Sequence, residues 1–178
     1  MATDFASLFV TFQRSAFRLE TRNRYAVPEE VEPFRRFCDG ERPGDEWTRE
    51  WTDAVRVAVR AGKRMQRVHV VTEPLTRYLR FELTCGYPNN IAAGEEINIL
   101  AVRRDDSAPL LPDDFWLFDD EAVGAMRYDD DGRFLGVEVL TDSATISRYR
   151  SFRDVALRLA MPFAAYLPRI TREATTST

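Results

Sequence analysis

Residues 115–140 read FWLFDDEAVGAMRYDDDGRFLGVEVL, three short apolar-rich runs separated by two acidic turns. Asp119, Asp120 and Glu121 close the first turn, and Asp129, Asp130, Asp131 and Gly132 close the second. A glycine after acidic turn residues is a strong hairpin signal, because it accepts a positive φ at no steric cost. The pattern predicts a three-stranded antiparallel meander and puts it at the architectural centre of the fold. A chain of 178 residues suits one domain and buries roughly 70% of its unfolded surface. Residues 1–170 are expected to form that domain, with a frayed Thr/Ser-rich tail at 171–178.

The rest of the chain supplies helices and further strands. Phe5, Leu8, Phe9 and Phe12 recur at helical spacing. Ala16 to Glu20 alternates, with Phe17 and Leu19 on one side and Arg18 and Glu20 on the other, as a strand with one polar face does. Pro28 opens a short helix over 29–38. Trp47, Trp51, Val55 and Ala58 share one face of the next helix, which Gly62 caps. A strand over 65–71 sets Val68 and Val70 opposite Arg67, His69 and Val71. Pro74 starts a helix that Gly86, Tyr87 and Pro88 stop. A strand over 96–102 and a polar loop through Asp113 lead into the meander, and a last helix over 143–166 is kinked or ended by Pro162. The expected fold is α+β, with a single mixed, largely antiparallel sheet carrying packed helices.

Composition excludes several functions. The net charge of -4 argues against a general nucleic-acid binder, which shows a basic excess, and no helix has an uninterrupted basic recognition face. Charge is nonetheless uneven: residues 49–82 are net positive and 105–142 strongly acidic, which reads as a solvated surface or as a two-signed face that orients a partner. Among the 25 basic residues only Lys63 is lysine, the mark of a GC-rich genome. No apolar run reaches a bilayer span, and the N-terminus lacks a signal-peptide layout, so a cytoplasmic location is expected. Cys38 and Cys85 fall far apart and read as two buried reduced thiols. With one histidine in the chain, no Cys/His metal site and no cofactor are expected. Asp129, Asp131, Gly132 and Glu138 imitate part of a calcium loop, but Arg127 would fill its first position. AAGEEI, around Gly94, is neither a phosphate loop nor a dinucleotide fingerprint.

The sharpest constellation is a set of ionisable residues turned inward. Leu75, Tyr78, Leu79 and Glu82 share a helical face, so Glu82 sits among apolar neighbours and needs a partner. Arg18 and Arg67, on strands, are the candidate partners. His69 is the natural general base at neutral pH, yet no nucleophile elbow surrounds Ser15, Thr72 or Cys85.

Several blocks resemble DUF6879, an actinobacterial family without an assigned activity. They are RSAFRLET (14–21), Tyr25-x-Val-Pro28, RVHVVTEPLTRYLRFEL (67–83), YPNNIAAGEEI (87–97), FWLFDD (115–120), YDDDGRFLGVEV (128–139) and the helix from Arg148 to Tyr166. The resemblance implies a small protein encoded beside helix-turn-helix regulators. It also implies a strand–helix order similar to phospholipase-D-like effector domains that have lost the catalytic motif, and here too no lysine follows His69 in His-x-Lys spacing. The expected function is therefore that of a non-enzymatic accessory or sensor domain in transcriptional regulation. Its expected partner is a helix-turn-helix regulator or a small molecule, met through Arg18, Glu20, Arg67, Tyr78, Glu82 and Tyr87. Direct nucleic-acid or membrane binding is not expected, and the oligomeric state stays open. The alternative is a hydrolase or phosphodiester-acting enzyme using His69.

Overall fold

A computed structural model describes residues 4–103 and 111–176, with side chains described as far as Ile170. Of the polar loop read through Asp113, residues 104–110 lie outside the described residues; so do residues 177 and 178 and the side chains of 171–176 in the tail expected to fray.

The chain begins with helix α1 (Phe5–Thr11) and strand β1 (Ser15–Glu20), then a short 3-10 turn (Pro28–Glu30) runs into α2 (Val31–Cys38). Helix α3 (Arg49–Arg60), strand β2 (Arg64–Glu73) and a helical run follow, the run being α4 (Arg77–Phe81), a π-helical turn (Glu82–Gly86) and α5 (Tyr87–Ala93). Strand β3 (Glu96–Arg103) precedes the meander, β4 (Phe115–Phe118), β5 (Ala122–Tyr128) and β6 (Phe134–Leu140). The chain closes with α6 (Ser143–Leu159), the two-residue strand β7 (Met161–Pro162) and α7 (Phe163–Thr176).

The strands form one open mixed sheet in the order β6-β5-β4-β1-β2-β3-β7. β1 and β3 run parallel to β2, and the other pairings are antiparallel. The α+β expectation holds, but the meander is a wing of the sheet and not its centre. The central strand is β1, held by β4 on one side and β2 on the other. The pin is Asp119, at φ 54° in the β4–β5 turn. Its carboxylate accepts from the backbone N–H groups of Gln13, Arg14 and Ser15 at 2.6, 2.7 and 2.8 Å.

Both faces of the sheet are covered. Phe17, Leu19, Val68, Leu100, Phe115 and Leu117 pack under α6, against Ile146, Tyr149 and Ala156. On the opposite face Ala16, Met65, Trp116 and Phe118 meet α1 and α3 through Leu8, Phe12, Val55 and Ala58. Val71, Ile97 and Ile99 meet Leu79, Leu83, Tyr87 and α7. A strand roofed on both sides buries even its polar alternates: Arg18 is 3% exposed and Glu20 7%. The polar face of β1 read from the alternation is thus part of the interior.

Three helix boundaries differ from expectation. The helix read from Pro74 starts at Arg77, because the Thr76 side chain caps it by accepting from the Leu79 N–H. Gly86, Tyr87 and Pro88 do not stop the helix. The π turn widens it instead, with the Tyr87 N–H bonded five residues back to the Glu82 carbonyl, and Pro88 falls in the first turn of α5, where a missing N–H costs nothing. Pro162 does end the last long helix: α6 stops at Leu159, and Pro162 pairs with Asn98 of β3 before α7 begins. Both cysteines are free thiols, but Cys38 is exposed and Cys85 only half-buried.

Candidate functional site

Register alone assembles the polar interior. Parallel pairing sets Arg18 beside Arg67 and Glu20 beside His69, and same-parity positions of neighbouring strands point to one face. Antiparallel pairing of β1 with β4 sets Arg18 beside Trp116, so Asp114, two residues before Trp116, arrives on that face as well. The π turn completes the assembly from above. Where N–H groups reach back five residues, positions 82 and 87 stack on one side of the helix, and both face the strands.

The resulting network is dense. Arg18 Nη2 donates to Asp114 Oδ2 at 2.6 Å, and its Nε lies 3.5 Å from Glu20 Oε1. Arg67 donates from Nη1 to Glu20 and from Nε to Glu95, each at 2.8 Å. Tyr25 gives its hydroxyl proton to Asp114 at 2.6 Å, Tyr78 to Glu30 at 2.6 Å and Tyr87 to Glu20 at 2.8 Å. Burial raises the Glu20 pKa, but Arg67 first, then His69 and Arg18, reverse this and hold the carboxyl at about 2. For Glu30 nothing reverses it: burial, with Glu20 nearby, lifts its carboxyl to about 7 although Tyr78 donates to it.

His69 is wholly enclosed. Its Nε2 lies 2.8 Å from the Arg22 carbonyl, which only accepts, so Nε2 carries a proton. Nδ1 lies 2.6 Å from the Tyr87 hydroxyl. Because Tyr87 spends its single proton on Glu20, that contact is a full hydrogen bond only when Nδ1 is protonated as well. Burial works against this second proton and lowers the His69 pKa, with Glu20 the leading opposing influence. The imidazole is therefore not the surface base that the strand pattern suggests.

Glu82 departs furthest from expectation. It is buried, as read from sequence, but it pairs with neither Arg18 nor Arg67, both of which are taken by Glu20, Asp114 and Glu95. Its Oε2 has no hydrogen-bond partner, and the nearest basic atom, His69 Nδ1, is 3.6 Å away. Burial, then the charges of Glu20 and Glu30, raise its pKa well above the ordinary carboxylate range.

All six residues expected to bind, Arg18, Glu20, Arg67, Tyr78, Glu82 and Tyr87, lie in this one cluster, each at most 8% exposed. None of them offers a surface to a protein partner. They instead border two hollows that share Val27, Glu30, Arg67 and Glu82 as a common wall. The larger, about 460 Å³, is bounded by Trp47, Trp51, Tyr87 and Asn90, with Glu29, Glu50 and Ala54 exposed at its rim. The smaller, about 300 Å³, lies beneath Arg18, Tyr25, Tyr78 and Gly132. His69 borders neither.

Sequence reading did not single out Tyr25, Glu30, Asn90, Glu95 or Asp114. Glu95 and Asp114 stand just outside their strands, in phase with the inward positions, a signal usable only once strand partners are known. Glu20, His69 and Glu82 each offer an atom within 4.8 Å of the others'. Tyr87 already bridges two of the three and Arg67 neutralises Glu20, so the arrangement fits a hydrogen-bonded core better than a metal centre.

A family model described as "Domain of unknown function (DUF6879)" matches residues 3–168. No curated protein matches the chain. Among the described residues, no helix is long and apolar enough to cross a membrane.

Proposed function

We propose that this chain, which belongs to the DUF6879 family, is a cytoplasmic, non-enzymatic sensor domain that takes a small ligand into its larger cavity. One observation carries the reading. Glu82 and Asn90, both on that cavity's wall, hold the buried side-chain atoms left without a hydrogen-bond partner among the described residues. Folds rarely leave such atoms unmet, and about 460 Å³ is within the usual range of small-molecule sites. Aromatic walls around a few convergent polar groups complete the pattern.

The hydrolase alternative has less support. His69, its only candidate base, is sealed, holds its Nε2 proton on the Arg22 carbonyl, and touches neither hollow. The sensor's output, following the family resemblance, is contact with a helix-turn-helix regulator through exposed surface and not through the buried cluster.

The test is a thermal-shift screen of a small-molecule library against the wild type and Ala54→Trp. Ala54 is exposed at the cavity rim, so the larger side chain blocks the hollow without entering the core. Compounds that raise the melting temperature of the wild type but not of Ala54→Trp are the expected result. A library in which no compound separates the two proteins sinks the reading.

A further inference from the structure

The larger cavity has a definite chemistry. Glu82 and Asn90 are each 7% exposed, and the atoms they leave unmet, Oε2 and Oδ1, are both oxygens. An unmet buried acceptor costs about 1–3 kcal/mol, so two on one wall ask for a guest that brings donors. The charge around them has one sign. Glu29, Glu30 and Glu50 line the same space, and the one cation on the wall, Arg67, is matched by Glu20 and Glu95. Phe9, Trp47 and Trp51 line the same space, and aromatic ring faces attract cations.

From this wall we infer that the cavity receives a small organic cation bearing a primary ammonium group. Its N–H donors meet Glu82 and Asn90, and its apolar part lies against Trp47, Trp51 and Phe9. The inference rests on the ligand-binding reading above and narrows it to one chemical class. A quaternary ammonium would leave both oxygens unmet. A neutral alcohol brings a single donor, and an anion brings none for either oxygen and meets Glu29 and Glu50 at the rim as like charges.

Binding should also move a proton. The charged and titratable groups that face Glu82 are Glu20 from β1, Arg67 and His69 from β2, Glu30 from the 3-10 turn, Tyr78 from α4, Tyr87 from α5 and Asp114 before β4. Burial, Glu20 and Glu30 keep its carboxyl protonated in the empty cavity, against the pull of Arg67. An ammonium at Oε2 supplies the positive charge that the surroundings lack, so Glu82 ionises and its proton leaves to the buffer.

Calorimetry at neutral pH tests this with 2-phenylethylamine, 2-phenylethanol and phenylacetate, in two buffers of different ionisation enthalpy. The amine is expected to bind at least tenfold more tightly than the alcohol or the anion, with proton release, and Glu82→Gln to weaken it about tenfold, some 1.4 kcal/mol. If the alcohol or phenylacetate binds as well as the amine, or Glu82→Gln binds it unchanged, the cation inference is overturned while the ligand-binding reading stands. If the amine fails but a library compound is lost in Ala54→Trp, the cation inference alone falls. If no library compound separates the two proteins either, both fall.

Discussion

Arg67 illustrates why residues in this cluster resist reading one at a time. It is the shared counter-charge of Glu20 and Glu95, which are 7% and 3% exposed. Arg67→Ala leaves both carboxylates buried without it, and losing one side of a buried pair costs about 3–5 kcal/mol, so urea unfolding should show a loss of at least that order. Glu82 behaves in the opposite way. Its folded pKa is raised, so the stability tied to its neutral form is fully present below the unfolded value of 4.5 and is lost as pH rises. Glu30 follows the same sign, with its loss spread between 4.5 and about 7. The melting temperature should therefore fall from pH 5 to pH 8 on account of these two groups. Glu82→Gln, which mimics the neutral acid, should match wild type at pH 5 and melt several degrees higher at pH 8; a Gln variant that melts lower at pH 8 would refute this. The inward face of Glu82 was legible in the Leu75, Tyr78, Leu79 spacing. Its lack of a partner was not, because periodicity says which way a side chain points and nothing about which neighbours are already engaged.

The π turn and the second meander turn do the most at the level of elements. The π turn places Gly86 under Trp47, where a Cβ would come within 3.0 Å of the indole ring, and so lets Trp47 stack on Phe81 at 5.0 Å. At the second meander turn, Gly132 has φ +82°, and a Cβ there would lie 2.6 Å from the Arg24 carbonyl. Its own carbonyl accepts from Ala26 N–H at 2.9 Å, tying the turn to the loop that carries Tyr25. Gly132→Ala should cost about 1–2 kcal/mol from the backbone conformation alone, and more from the clash. Hydrogen exchange should show faster opening of the Ala26 amide, while unchanged protection there would argue against the tie. The turns of the meander were readable because turn chemistry is local: Asp119, Asp120 and Gly132 declare themselves. The helix through Pro88 was misread because a proline at the start of one helical segment and a proline that ends another look alike in sequence. Only the widened turn before it tells them apart.

At the scale of the molecule, sequence pattern yielded the class of fold and most elements but not their order in the sheet. Pairing β1 with β2 joins Ser15 to Arg64 and Glu20 to His69 across α2 and α3, a long-range contact that no local window contains. That crossover moves the meander from centre to wing. The helices above the sheet, the α4–π–α5 run among them, roof the face that carries Arg18 and Glu20, which the alternation of β1 marked only as polar. The same roof has an optical consequence. The chain holds three tryptophans: Trp47 and Trp51 border the larger cavity, and Trp116 lies 5.6 Å from Trp51, ring centre to ring centre. Every indole in the protein is therefore at the cavity or one ring removed from it, and Trp51 also donates to the buried Glu95. Tryptophan emission from the unlabelled protein, which elsewhere averages over distant environments, here originates almost wholly from one place, so its intensity and wavelength are a built-in reporter of what enters.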